Sequence, residues 1–199
     1  GFKKFREKEY ESLSASMPTL VEKGQEPDYF MISCIDSRSN PGTIFRPAPG
    51  TFFAHKAMGA IVRPYKKGTA LAAALQFALD HNKVSKIIVL GHTGCGAIQA
   101  LIGGIEDPEI SSFLEVAKTG LNEAQNKCGD HCAPADLQRH AEEEIVLQSV
   151  QNLSEYPSVE RALAGGRVEI RPWIFDMESG NLFEYKKTED KFLAITDHE

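Results

Sequence analysis

Residues 86–102 read Lys-Ile-Ile-Val-Leu-Gly-His-Thr-Gly-Cys-Gly-Ala-Ile-Gln-Ala-Leu-Ile. Lys86 to Leu90 is apolar and rich in β-branched residues, the pattern of a strand covered on both faces. Gly91-His92-Thr93-Gly94-Cys95-Gly96 breaks that run, and Ala97 to Ile102 begins an apolar helix. Strand, glycine-rich turn and helix in direct succession is the building unit of an α/β fold. The glycines spell G-x-x-G-x-G, not the G-x-G-x-x-G order of a dinucleotide turn, and a His and a Cys occupy the bend. The turn therefore reads as backbone bent tightly around a small group, not as a cradle for a nucleotide.

The rest of the chain extends this unit in both directions. Upstream, Tyr29 to Cys34 is a short apolar run that stops abruptly at Asp36-Ser37-Arg38, as a buried strand opening into a loop does. Pro41, Gly42, Pro47, Pro49 and Gly50 mark turns, Thr51 to Ala54 is a second strand, and Gly68 to His81 has the spacing of a one-sided helix. Downstream, helices are expected over 111–127 and 136–153, the latter with Leu137, Ala141, Ile145, Val146, Val150 and Leu153 on its apolar side. A short helix from Ser158 ends at Gly165-Gly166. Arg167 to Phe175 and Asn181 to Tyr185, separated by Glu-Ser-Gly, read as a paired couple of strands. The expectation is one domain over 1–199, with residues 1–24 as a helical arm. Its centre is a mostly parallel β-sheet flanked by helices, with an antiparallel edge strand near the C-terminus.

Bulk properties narrow the partners. At 199 residues the chain can bury a core without disulfide staples. A net charge of −6, with basic residues only in pairs such as Lys66-Lys67, speaks against a nucleic-acid partner. No stretch reaches the roughly 18–20 apolar residues of a membrane span. Gly1 to Tyr10 is charged and lacks a signal-peptide core. The expected setting is the cytoplasm, with a targeting segment removed before Gly1 left open.

Chemistry concentrates in Cys34-x-Asp36-x-Arg38 and His92-x-x-Cys95, each just after a strand, on the rim where open α/β sheets bind ligands. Two thiolates and an imidazole suit Zn²⁺, and three protein ligands leave the fourth position open, as in catalytic sites. Cys95 also falls near a helix N-terminus, where thiolate is favoured. Alone, a cysteine at a strand end is a small buried hydrophobe, and Asp36 with Arg38 is an ordinary ion pair. Their combination is what turns the reading toward a metal. Cys128-Gly-Asp-His131-Cys132 is a second thiol–imidazole cluster, read as a surface loop, with a loop disulfide, a redox-sensitive pair or a second zinc site as the alternatives.

These motifs, in this order, resemble the β-class carbonic anhydrases, and the likeness runs over roughly residues 25–186. It takes in Pro49-Gly50, Ile61-Val62, the Gly91 to Ala97 loop, Gln148 to Val159 and Val168 to Leu182. The resemblance implies one Zn²⁺ per subunit on Cys34, His92 and Cys95, and an Asp36–Arg38 dyad. It implies reversible hydration of CO₂ to bicarbonate and a proton, by attack of a zinc-bound hydroxide that the dyad orients. Two thiolates should make the metal less acidifying than three imidazoles would. In some members the aspartate itself becomes the fourth ligand. A homodimer or homotetramer is implied as well, with Phe2 to Glu22 packing on the partner.

The chain departs from the family where Arg-Asn-x-x-Asn is usual: it has Lys56-Ala57-Met58-Gly59-Ala60, and Ala48 replaces a glutamine found in plant-type members. Lys56 keeps the charge but not the bidentate geometry of Arg. His55 beside it reads as a structural histidine before a proton acceptor. These departures keep two alternatives in view: a zinc hydrolase of carbonyl sulfide or carbon disulfide, and a non-catalytic zinc-stabilised regulatory protein. An orienting dyad has no use in the latter.

Overall fold

The computed structural model describes residues 1–129 and 131–195. At the N-terminus, α1 (Phe2–Arg6) runs into a wide helical turn at Glu7–Glu11 and is followed by α2 (Met17–Lys23). The body begins with β1 (Tyr29–Cys34), a short α3 (Pro41–Ile44), β2 (Phe52–Ala57) and α4 (Ala70–Gln76), which continues as a wide turn to His81. Then come β3 (Lys86–His92), α5 (Gly96–Gly103), α6 (Pro108–Leu114), α7 (Lys118–Cys128), α8 (Pro134–Ser154) and α9 (Pro157–Ala164). The last strands are β4 (Glu169–Phe175), β5 (Leu182–Lys186) and β6 (Lys191–Ala194).

The six strands form one sheet in the order β2-β1-β3-β4-β5-β6. β2, β1, β3 and β4 run parallel, while β5 and β6 are antiparallel. The mixed α/β architecture expected from sequence is the one found, with a second antiparallel strand beyond the one foreseen. Lys191 to Ala194 is short and carries Lys191 at its outer end, a common way to blunt an edge.

β1 and β3 are apolar on both faces because both faces are covered. Phe30, Ile32, Ile87 and Val89 share a core with Leu75 and Leu79 of α4 and its extension, Val146 and Leu153 of α8, and Val159 of α9. Met31, Ile88 and Leu90 face the other way, against Ile44, Phe52 and Trp173. Each such side chain contributes roughly 1.5–3 kcal/mol when fully buried. A further cluster of Ile61, Ile98, Leu114, Leu121 and Ile145 surrounds the carboxyl ends of β1 and β3. Those two ends are thus fixed in apolar packing on several sides.

Gly91 sets the closest approach in this region. A Cβ there would lie 2.5 Å from Val146 Cγ2 and 2.9 Å from Ile174 Cδ1. Its missing side chain lets α8 sit directly on β3, which brings the middle of α8 to the turn that follows.

Candidate metal centre

Parallel pairing of β1 and β3 puts their last residues on one rim. Cys34 ends β1, His92 ends β3, and Cys95 is the residue that starts α5. Gly94, at φ +64°, supplies the left-handed step that folds the chain back between the last two. The ligand atoms of Cys34, His92 and Cys95 lie within 4.8 Å of one another, and all three residues are buried.

His92 is oriented by its neighbour. Its Nδ1 lies 3.0 Å from the Thr93 carbonyl, which can only accept, so the ring hydrogen sits on Nδ1. That leaves Nε2 bare, buried and without a partner. A buried ring nitrogen with a free lone pair, facing two sulfurs, is the arrangement a cation completes. Thr93 is tied in turn: its hydroxyl donates to Asp176 Oδ1 at 3.2 Å and accepts the Met177 N–H at 2.9 Å.

The Cys34 sulfur accepts N–H groups from Asp36 at 3.4 Å and Gly59 at 3.3 Å. Hydrogen bonding from the Cys95 thiol, above all, holds Cys34 below the ordinary thiol range, assisted by these two N–H groups against the cost of burial. The same hydrogen bond, together with burial, pushes Cys95 up. Two sulfurs and a ring nitrogen thus converge where a cation could sit.

Asp36 and Arg38 follow Cys34 in the chain, and the Asp36 N–H reaches the Cys34 sulfur. Asp36 caps the short turn Ser37–Ser39, accepting the Arg38 N–H at 2.8 Å. The guanidinium closes a fork on the same carboxylate, Nε to Oδ1 at 3.1 Å and Nη2 to Oδ2 at 2.7 Å. This bidentate pairing holds the Asp36 carboxyl well below the usual carboxylate range. Arg38 also lines a cleft of about 760 Å³ with Gln99, Gln138, Arg139, Glu142 and Asp176.

The other sequence candidates separate from this centre. Cys128 and Cys132 are joined as a disulfide, with Cα atoms 5.2 Å apart, spanning the end of α7 and the approach to α8. Asp130 of that loop lies outside the described residues. Among the described residues the Cys34, His92 and Cys95 group is the one cluster that could hold a metal. His55 lines a different cleft with Arg63, Tyr65 and Phe113, and burial lowers its pKa.

Three contacts at the centre went unread in the sequence. Lys56 Nζ donates to the Cys34 carbonyl at 2.7 Å. Glu142 Oε1 accepts the Cys95 N–H at 2.8 Å, and Gln138 Nε2 donates to the Cys95 carbonyl at 3.2 Å. The available signal was Glu142 itself, a charged residue lying among the buried positions Ala141, Ile145, Val146, Ser149 and Leu153 of α8.

The family model for carbonic anhydrase matches residues 29–182. The solved structure titled "The structure of the beta-carbonic anhydrase CcaA" superposes with a TM-score of 0.89 at 28% identity, covering 100% of this chain and 90% of that one. The chain belongs to the β-carbonic anhydrase family. It is an enzyme of the carbonic anhydrase class, and that family supports CO₂ hydration. A carbonic anhydrase of Pseudomonas aeruginosa is 28% identical, with 100% of this chain and 90% of that protein aligned. Carbonic anhydrase 1 of Escherichia coli O157:H7 is 29% identical over 98% of this chain and 90% of its own length. A structure described as one of two tetrameric β-carbonic anhydrases from Sordaria macrospora matches at 26% identity and a TM-score of 0.73, covering 84% of each chain. The four parallel strands and the Cys-His-Cys cluster at their rim thus lie inside the matched segment.

Proposed function

We propose that Cys34, His92 and Cys95 hold one Zn²⁺ per subunit, that Asp36 and Arg38 form the working dyad, and that the reaction is the reversible hydration of CO₂ to bicarbonate and a proton. The observation that carries this reading is the bare Nε2 of His92, buried and facing two sulfurs. Two sulfurs and one imidazole nitrogen match the donor preference of Zn²⁺ and leave one position open. Bound there, zinc would acidify a water enough to supply the nucleophile near neutral pH.

The chain's own groups do the rest. Asp36 is fully ionised at any working pH, because Arg38 holds both of its oxygens. A carboxylate so fixed can only accept, so it orients the attacking water's hydrogen toward itself and a lone pair toward CO₂. Arg38 keeps Asp36 from rotating away and stands on the wall of the adjoining cleft. Ile61, Met58 and Ile98 make the inner side apolar, which suits an uncharged linear substrate and limits stray water.

One domain over 1–199 carries all these parts, and a homodimer or homotetramer is the proposed assembly. Its support is the arm, whose Phe2, Phe5, Tyr10 and Leu13 are exposed. No helix among the described residues is long and apolar enough to cross a membrane. Cys34 and Cys95 must stay reduced to bind metal, which supports a cytoplasmic setting.

Stopped-flow CO₂ hydration at about pH 8.5–9 tests the reading, with Cys34→Ser as the metal-site control. Strong catalysis lost in the control is expected. A wild-type protein that holds one zinc and leaves CO₂ untouched would overturn it. Carbonyl sulfide and carbon disulfide belong in the same experiment, because Ala57, Met58 and Ala60 stand where the family usually has a more polar segment.

A further inference from the structure

The turn His92-Thr93-Gly94-Cys95 joins a strand to a helix, and its glycine step could be reached by several backbone paths. Only some of them aim the Cys95 sulfur at Cys34 and His92. What selects the path lies more than forty positions away in the chain, on α8. Glu142 Oε1 accepts the Cys95 N–H at 2.8 Å, and Gln138 Nε2 donates to the Cys95 carbonyl at 3.2 Å. The two side chains are also tied to each other, Gln138 Nε2 to Glu142 Oε1 at 2.9 Å. Both polar groups of one residue's backbone are therefore gripped by one helix face, at an i,i+4 spacing that points both side chains the same way. The Cys95 carbonyl also accepts the Gln99 N–H that begins α5, at 3.0 Å.

Packing alone does not account for this choice. Glu142 is 3% exposed and sits where α8 otherwise presents Ala141, Ile145 and Val146 to the core. A carboxylate is costly at such a place unless it is hydrogen-bonded, and an apolar side chain of similar volume would fill the space more cheaply. Gly91 lets α8 come close enough for the reach, since any Cβ there would strike Val146.

We propose that Glu142, assisted by Gln138, is a positioning residue for the metal-binding Cys95, fixing its backbone so that its sulfur completes the zinc site. The inference rests on the reading of Cys34, His92 and Cys95 as zinc ligands. Groups that orient a ligand from outside the coordination sphere commonly govern metal affinity by about 10–100-fold. Glu142→Ala removes the acceptor for the Cys95 N–H, whereas Glu142→Gln keeps an oxygen acceptor there without the charge.

The test uses the full chain loaded with zinc. Zinc release to a chelator is timed at neutral pH for the wild type, Glu142→Ala, Glu142→Gln, Gln138→Ala and Cys95→Ser. The absorption of thiolate–cobalt charge transfer is recorded on the cobalt-substituted forms. Expected is release from Glu142→Ala faster by about 10–100-fold, a perturbed cobalt spectrum, and substantial recovery of both in Glu142→Gln. Release at the wild-type rate with an unchanged spectrum would overturn the proposal, as would a variant that only lowers the unfolding midpoint of the metal-free protein. Should Glu142→Ala fail to fold, Gln138→Ala and Glu142→Gln decide by the same two readouts. Zinc retained at full stoichiometry in Cys95→Ser would instead sink the reading of the site on which this one depends.

Discussion

Lys56 shows what a single residue does at this rim. It stands on β2, exposed on its outer side, and reaches the Cys34 carbonyl with its ammonium at 2.7 Å. Burial lowers its pKa, while the charges of Cys34 and Asp36 work in the opposite direction. The usual arginine of the family would present a planar fork here; a lysine presents one charge on a flexible stem. Lys56→Met should therefore free the Cys34 carbonyl and cost on the order of 1 kcal/mol, read as a lower urea midpoint with unchanged slope. Lys56→Arg should recover most of that loss. Equal midpoints for the wild type and Lys56→Met would remove Lys56 from the list of groups that hold the cluster. At the same scale, the dyad was legible in sequence because Asp36 and Arg38 are two residues apart and local geometry alone can pair them. Lys56 was read only as a retained charge in place of an arginine, because nothing local says which carbonyl a lysine on one strand will find on the next.

Among the elements, the turn between β4 and β5 does more than reverse the chain. Asp176 accepts the Ser179 hydroxyl at 2.8 Å, the Glu178 N–H at 3.1 Å and the Thr93 hydroxyl at 3.2 Å. Through Thr93 it braces the residue whose carbonyl orients His92. Ser179 first, then the Glu178 N–H and Thr93, hold its carboxyl below the usual aspartate value against the cost of burial. A depressed folded pKa gives stabilisation that is fully present above the unfolded value of about 4 and is lost as pH falls through the folded value. Asp176→Asn should accordingly lower the urea midpoint at pH 7, by about 1–2 kcal/mol in stability. The gap to the wild type should narrow progressively below about pH 4. A gap that stays constant down to pH 3 would mean that the charge of Asp176 contributes nothing to this brace. The Glu-Ser-Gly signal foretold the turn, but its service to β3 follows only from β3 and β4 being neighbours in the sheet.

On the scale of the whole molecule, the arm is the part least satisfied by its own chain. Phe2 is 76% exposed, Val21 74% and Leu13 fully exposed, while Leu20 is the side chain that packs against the body, at Gly50. Apolar side chains left in water along one short segment are what a second copy covers. Removal of residues 1–24 should turn the proposed dimer or tetramer into a monomer in light scattering; an oligomer that survives the deletion would move the interface elsewhere. Periodicity and spacing by themselves determined the α/β class and the strands that end in the proposed ligands Cys34 and His92, because each is written within a few consecutive residues. They determined α4, α8 and α9 to within a few positions, since apolar stripes repeat locally, but the single helix expected over 111–127 is broken between α6 and α7, and α3 stands where only turns were read. Only the tertiary structure decided which distant groups hold those ligands: Glu142 and Gln138 on the Cys95 backbone, Lys56 on Cys34, Asp176 on Thr93. Each is a polar contact between elements far apart in the chain, and its cause is the order of strands and the close approach of α8 at Gly91, neither of which has a local signature.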